Sequence, residues 1–322
     1  MAASVSFSQS TAPTQTQPLT EATGALQAGE ADKALTLLAS VPESGPGAAQ
    51  AQNLLCRVHL TLEQRDPAAT ACEQAVHLDP NNSDFHLWLG RALGEKASHA
   101  TFLSAYALAK RTRAEFEEAV RLNPRNAEAL SDLGDFYRQA PGAVGGGVDK
   151  AQGVVADLDK VDPARADELR GRIAEQQKDF PTAETEYKKM VAAGTRPAQG
   201  WSALAGFYAR QKRLDEMESA VRSAVTAAQH DKHEGVALYD GAGLLIEAHR
   251  DPALAATLLD DYLAGSSKTE DAPAFVAHLR LARLKAQLGD PAAAERERAA
   301  ALALAHDYKP AQDFKPQNQG SQ

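Results

Sequence analysis

The chain has 322 residues, of which 43% are apolar and only 6% aromatic, and its formal net charge is -9. This acidic balance argues against a nucleic-acid-binding protein or one drawn to an anionic membrane. No run approaches the roughly 18 apolar residues that a membrane-spanning helix needs, so we expect no membrane span. Abundant alanine favours close-packed helices over sheets.

Residues 1–18 are predicted to be a disordered polar tail. They are rich in Ser, Thr, Gln and Pro, and they lack the basic and apolar regions of a signal peptide. The same composition would fit an exported chain whose signal has already been removed. The compartment therefore stays open between a cytoplasmic default and a periplasmic or exported location.

From residue 19 onward, two kinds of predicted helix alternate. The first kind carries an apolar stripe with a small residue at its centre, as in Leu130, Leu133, Gly134 and Tyr137. Their spacing of i, i+3, i+4 and i+7 is that of an amphipathic helix. The same spacing recurs in "WSALAGFY", residues 201–208. These stripes predict the buried faces of successive first helices.

A second helix follows each first helix and also carries small residues. Small side chains at a helix crossing let two backbones approach closely. Asp-Pro or Asn-Pro then ends several second helices, because proline cannot continue a helix and disfavours helical backbone just before it. The predicted crossing residues are Ala75, Ala119 and Ala224, and the terminating prolines are Pro80, Pro124 and Pro163.

This pattern resembles the tetratricopeptide repeat family, whose unit is a pair of antiparallel helices in about 34 residues. The resemblance covers residues 19–310 as about eight units. It implies an all-α, right-handed α-solenoid without cofactors or metals, closed by an alanine-rich last helix with a polar outer surface. It also implies a non-catalytic scaffold that binds a peptide or partner protein in a concave groove. Residues 311–322 are predicted to be a disordered tail.

Arginines recur directly after the small crossing residue in several units, at a place that the resemblance assigns to the groove. Because arginine pairs bidentately with carboxylates, such a row would suit an acidic partner segment, with ordinary solvated helix surface as the alternative. The candidate groove residues are Arg57, Arg91, Arg138, Arg172, Arg210 and Arg283.

The third unit carries about ten extra residues, near 95–112, which predicts that both of its helices are lengthened. Phe102 and Tyr106 in this insertion are candidates for a secondary contact, or else they staple the longer hairpin together. Trp88 is a further candidate, as either an exposed interface anchor or a residue buried against the preceding unit.

A glycine-rich loop spans residues 141–148. It raises the possibility of a phosphate cradle, but Lys150 follows Asp149 in a helical region, whereas a P-loop needs Gly-Lys-Ser/Thr after a strand. A flexible turn explains the run. The alternative function is a small-ligand-binding protein or an enzyme, with a site formed by this loop together with Glu95 and His99 of the third unit. A third hypothesis is a structural spacer or oligomerisation element.

The remaining polar clusters give weaker predictions. His230, His233 and Glu234 could meet a metal, but they lie in a polar connection without an apparent fourth ligand. Cys56 and Cys72 fall on facing helices of the second unit and are expected to be core thiols, with a disulfide plausible only in an exported protein.

Overall fold

The computed structural model describes residues 16–229 and 235–316. Within these ranges the chain forms 17 α-helices and one short 3-10 helix, Gly142–Val144. The α-helices are α1 (Thr16–Ala28), α2 (Ala31–Leu38), α3 (Ala48–Thr61), α4 (Arg65–Leu78), α5 (Ser83–Ser98), α6 (Phe102–Leu122), α7 (Ala127–Gln139), α8 (Val148–Val161), α9 (Pro163–Gln176), α10 (Phe180–Ala193), α11 (Pro197–Arg210), α12 (Leu214–Ala228), α13 (Val236–Glu247), α14 (Pro252–Ala264), α15 (Ala274–Gln287), α16 (Pro291–Leu304) and α17 (Lys309–Asp313).

Helices α1 to α16 pack as eight sequential antiparallel pairs, which we number hairpins 1 to 8. The predicted all-α solenoid of eight hairpins is therefore confirmed. The crossings use the small residues that the sequence pattern indicated. Gly90 is one example, because a Cβ atom there would lie 2.5 Å from the ring of Phe116 on the facing helix. Ala75 and Ala119 are fully buried.

Local capping explains where many of the helices begin. Asp162, Asp179, Asp251 and Asp290 each precede a helix, and each side chain accepts a hydrogen bond from a backbone N–H in its first turn. A proline follows within the first two helical positions, where its missing N–H costs nothing. Between the two helices of every hairpin except hairpin 3, at least one residue adopts a left-handed backbone with positive φ: Gly29, Glu63, Gly145, Lys178, Lys212, His249, Asp251 and Gly289.

The array closes on itself into a ring, because hairpin 8 and α17 pack against α1, α2 and α3. We call this contact the seam. Its apolar core includes Leu26 and Leu54 from the beginning of the chain and Phe275 and Leu279 from the end. Gly29 is the point of closest approach, since a Cβ atom there would lie 2.2 Å from the backbone nitrogen of Ala274.

Polar contacts also cross the seam. A carboxylate oxygen of Asp32 accepts a hydrogen bond from the backbone N–H of His306 at 2.9 Å. The hydroxyl of Tyr308 donates to Glu63 at 3.3 Å, and the ring of Tyr308 packs edge-on against Phe275 with centroids 4.8 Å apart. Residues more than 240 positions apart therefore hold each other in place.

The seam corrects two predictions about the end of the chain. Helix α16 carries exposed polar residues, Glu295 and Arg296, but it is not the free end of the array, because hairpin 1 covers Ala301 and Ala305 in the seam. The boundary of the C-terminal tail at residue 311 falls too early, because Ala311 lies in α17 and is fully buried. At the other end, residues 16–18 already belong to α1, and residues 1–15 lie outside the described residues.

The lengthening of hairpin 3 is unequal. Helix α6 has 21 residues, against 14 in α4, α8 and α10, whereas α5 has 16. At 1.5 Å per residue, the N-terminal part of α6 extends about 10 Å beyond its equivalents. We call residues 102–112 the α6 extension. The glycine-rich loop next to it is folded tightly, since Lys150 donates to the carbonyl of Gly145 at 2.8 Å and Arg113 packs against the same glycine.

Cys56 and Cys72 form a disulfide between α3 and α4, with their Cα atoms 5.2 Å apart. The expectation of two core thiols is therefore wrong, although both residues are fully buried as expected. Facing positions on two closely packed helices bring the two side chains within bonding reach. The candidate metal residues His230, His233 and Glu234 lie outside the described residues.

Candidate functional site

The first helices of hairpins 3 to 8 line the concave inner face of the ring, where three clefts lie in sequence. The hairpin-3 cleft, of about 650 Å³, lies between the α6 extension, α5 and the end of α7. The middle cleft, of about 240 Å³, lies between α7 and α9. The third, of about 370 Å³, lies between α9 and α15, and we call it the Arg280 cleft.

Shared residues join the three clefts. Asp132 and Asp135 line both the hairpin-3 cleft and the middle cleft. Glu168, Arg172 and Gln199 line both the middle cleft and the Arg280 cleft. The inner face therefore presents one continuous depression that crosses six hairpins.

Trp88 is half-buried and lies close to two arginines of the predicted row. The guanidinium of Arg57 stands 4.8 Å from the centroid of its ring, and that of Arg91, further along the same helix as Trp88, stands 4.4 Å away. Arg57 forms a bidentate pair with Glu270 across the seam, and Nε of Arg91 donates to Asp132 at 2.6 Å. Both guanidinium groups are thus fixed by internal partners.

Three further arginines of the row also hold carboxylates of the protein itself. Arg138 and Arg172 both pair with Asp135, the former at 3.0 Å. Arg210 forms a bidentate pair with Glu175 at 2.8 and 2.9 Å. Arg91, Arg172 and Arg210 line the clefts, whereas the side chains of Arg57 and Arg138 do not.

Arg283 differs from the other five members of the row. It is exposed, lines none of the three clefts and makes no ion pair among the described residues. Arg280, three residues earlier, lines the cleft named after it and lies 4.0 Å from the ring centroid of Tyr239, again without an ion pair in the described ranges. The sequence reasoning missed Arg280, although its i, i+3 spacing from Arg283 places both near one face of α15.

Asp240 stands opposite this free arginine. Solvent reaches Asp240 from inside the ring, but the surrounding walls remove much of its hydration and raise the pKa of its carboxyl to about 6. The charge of Arg280 opposes this shift, and Asp271 reinforces it.

Charges in the Arg280 cleft balance. Three arginines face three carboxylates there, so the cleft is not a basic surface. The arginines are Arg172, Arg210 and Arg280, and the carboxylates are Glu168, Asp240 and Glu247.

The hairpin-3 cleft is more apolar than the other two, because small or apolar residues, among them Phe116, Phe136 and Val144, form most of its walls. Thr112 lines it with a hydroxyl that is buried and has no hydrogen-bond partner among the described residues. Glu95 lies at the edge of the cleft and is held by Arg65 at 3.1 Å, while His99 contacts the same arginine at 3.0 Å. His99 does not line the cleft.

The two aromatic residues of the α6 extension face outward. The relative exposure of Phe102 is 86% and that of its neighbour Leu103 is 81%. Tyr106 is 41% exposed, and its hydroxyl donates to the carbonyl of Ala143 in the glycine-rich loop at 3.4 Å. Phe102 therefore does not staple the hairpin, whereas Tyr106 bridges α6 to the loop.

Comparison with known proteins adds to this geometry. The tetratricopeptide repeat family matches residues 19–82, which cover hairpins 1 and 2, and the remaining six hairpins repeat the same helical pairing. Hairpins 1 and 2 thus belong to the tetratricopeptide repeat family, and the eight hairpins together form a solenoid of the same kind. No curated protein matches this chain over its sequence. None of the described helices is both long and apolar enough to cross a membrane.

Two solved structures are similar to this chain. TTC0263, a thermophilic TPR protein of Thermus thermophilus, is 21% identical, with a TM-score of 0.45 over 72% of this chain and 100% of its own. MamA is 18% identical, with a TM-score of 0.34 over 53% of this chain and 93% of its own.

Proposed function

We propose that this protein is a non-catalytic scaffold that binds an extended segment of a partner protein along the inner face of the ring. The observation that carries the proposal is the continuity of the three clefts through shared residues. A run of joined depressions across six hairpins suits a polypeptide better than a compact small molecule.

The partner segment is proposed to carry both signs of charge. An exclusively acidic segment would have to displace Asp132, Asp135, Glu168 or Glu175 from the arginines that they already hold. Arg280 remains available for a carboxylate, and Glu247, which makes no ion pair among the described residues, remains available for a lysine or arginine. The arginine row suggested an acidic partner segment. We now propose only that the segment places one acidic group near Arg280.

A photo-cross-linking amino acid that replaces Ser202 tests whether the inner face of the ring binds the partner. Ser202 lines the Arg280 cleft, and the matched control is Thr257, which is exposed on the second helix α14. In a lysate of the source organism, a polypeptide should cross-link at position 202 and not at 257. Equal adducts at both positions, or none at 202, would overturn the proposal.

Two substitutions then test the charge of the partner. Arg280→Gln and Glu247→Gln each remove a charge from the same cleft without breaking an ion pair among the described residues. Each should weaken binding of the cross-linked partner about 3- to 10-fold, measured by titration with the purified partner. A loss with Arg280→Gln alone would indicate a purely acidic segment. Charge reversal at Arg57, Arg91 or Arg172 is a poor test, because it would unpair internal carboxylates.

The small-ligand or enzymatic alternative at hairpin 3 has weaker support. Its three carboxylates, Glu95, Asp132 and Asp135, are each held by an arginine, and no histidine is among the described residues that line the cleft. No acid–base pair therefore converges there.

The disulfide supports placing this scaffold in an oxidising compartment, which is the exported alternative. Disulfides persist in such compartments and are rare where thiols are kept reduced. Thiol labelling of the protein from native cells, with and without reductant, should modify Cys56 and Cys72 only after reduction.

A further inference from the structure

We propose that the α6 extension is a homodimer interface in which Phe102 of one copy enters the hairpin-3 cleft of a second copy, and the reverse. This contact does not rest on the proposed binding of a partner segment, and in the dimer the middle and Arg280 clefts would remain for that segment. Phe102 and Leu103 are adjacent and 86% and 81% exposed, whereas the exposed large apolar residues outside the extension, Leu78, Phe180 and Leu288, are scattered singly.

The receiving surface lies on the same helix. Phe102, Ala105, Ala109, Thr112 and Phe116 follow a spacing of three and four residues along one side of α6. The last four of them line the hairpin-3 cleft, so the cleft wall is a recess of small residues between two phenylalanines. The large residue at one end and the small residues in the middle have complementary shapes.

An antiparallel arrangement about a two-fold axis near residue 107 would satisfy both copies at once. It places Phe102 of one copy beside Ala109 and Thr112 of the other, and the same pair recurs in reverse. Such reciprocal contacts are the defining property of a two-fold interface. Because the protruding residue and the recess belong to one helix, no second surface has to be supplied by another protein.

Charge does not oppose the contact. The cations on the flanks of the extension are occupied within their own copy: Lys96 pairs with Asp66 and Arg111 with Glu73, both at 2.7 Å. Lys110 stacks over Tyr106 at 5.0 Å from the ring centroid. The small area that two such tips would bury, on the order of 1,000 Å² in total, is typical of weak association. We therefore expect a dissociation constant on the order of 10 µM.

Sedimentation velocity on the full chain, from about 1 to about 200 µM, tests the proposal over the range that such an affinity requires. The wild type should change from monomer to dimer. Phe102→Asp removes the inserted side chain and Ala109→Trp fills the recess, and each should weaken dimerisation at least 10-fold. Leu288→Asp is the matched control, because Leu288 is 50% exposed elsewhere on the ring, and it should leave the dimer unchanged.

A mixture of the two weakened variants gives the sharpest result. The Phe102→Asp copy keeps an open recess and the Ala109→Trp copy keeps its phenylalanine, so one of the two reciprocal contacts can form between them. The mixture should associate more strongly than either variant alone. A wild type that stays monomeric throughout overturns the proposal, as does a dimer that Phe102→Asp leaves intact or that Leu288→Asp weakens equally. Circular dichroism of each variant confirms that it is folded.

Discussion

The seam and the α6 extension are the two places where this array departs from a simple stack of hairpins. Apolar side chains are buried at the seam and exposed at the extension. At the seam, Leu26, Phe275 and Tyr308 come from distant parts of the chain and are at most 3% exposed. At the extension, Phe102 and Leu103 remain more than 80% exposed. A terminal hairpin can find cover by closing the ring, whereas a helix that protrudes from the middle of the array has no hairpin beside it to cover its tip.

The largest expected effect comes from replacing a glycine at the seam, and a second glycine serves to subtract the cost of backbone conformation alone. Gly29 and Gly289 both have positive φ, but only at Gly29 would a Cβ atom meet another backbone, that of Ala274. Gly289→Ala should lower the free energy of unfolding by about 1 kcal/mol, the cost of a left-handed alanine. Gly29→Ala should cost about 3 kcal/mol or more, because the seam must also move apart.

Urea unfolding measures both variants, and small-angle scattering should detect an opened ring for Gly29→Ala alone. Equal losses for the two substitutions would mean that hairpins 1 and 8 do not pack as described.

The next largest effect concerns the ion pair that crosses the seam. Glu270 is 13% exposed and holds Arg57 near the ring of Trp88, while Glu128 is 51% exposed and contacts Arg91, which lies near the same ring. Glu270→Gln should lower the free energy of unfolding by about 2 kcal/mol, because it weakens a charged hydrogen bond in a poorly hydrated site. Glu128→Gln should change it by less than about 0.5 kcal/mol.

Both variants can be measured by urea unfolding at neutral pH. If Glu128→Gln costs as much as Glu270→Gln, the seam pair has no special role in stability.

A smaller effect on stability, which depends on pH, is expected at the base of hairpin 3. His86 is buried, its Nδ1 lies 2.7 Å from a carboxylate oxygen of Glu115, and its Nε2 lies 3.0 Å from the carbonyl of Pro80. The hydrogen bond with Glu115 raises the pKa of His86, an effect that Pro80 and Glu118 reinforce and that burial partly opposes. The stabilisation is then fully present below the unfolded-state pKa of about 6.5 and is lost as pH rises through the higher folded-state pKa.

The wild type should therefore lose more stability than His86→Gln between about pH 6 and about pH 8.5, a window that spans the unfolded-state value. The difference between the two proteins, from urea titrations at each pH, removes the contribution of the other histidines. A difference that grows with pH would contradict the raised pKa.

The smallest expected effect is at the tip of the extension. Phe102→Ser and Leu103→Ser should each change the stability of the monomer by less than about 0.5 kcal/mol, because neither side chain is buried. Thermal unfolding at low protein concentration, where the monomer predominates, provides the measurement. A loss above about 1 kcal/mol would show that the tip packs within its own copy.

The candidate site could be predicted only in part, because a sequence pattern describes spacing within one repeat and not contacts between repeats. The row of arginines could be found because each lies one place after a crossing residue, such as Gly90 or Gly171, or about one turn further on. Their partners could not be found this way, because most lie on another hairpin, as Asp132 does for Arg91. Arg280 was missed because it lies three places before the row, although it is one of the cleft arginines without an internal carboxylate among the described residues.

The amino-acid sequence by itself determined the helical pairs, their crossing residues and the length of hairpin 3, because these features depend on periodicity and capping within about 34 residues. Only the tertiary structure decided that the ring closes, that Arg57 meets Glu270 and that α16 is covered by hairpin 1. Each hairpin contributes a small rotation to the array, and only the sum over eight hairpins brings its ends together. A contact that depends on such a sum has no local signature in the residues that make it.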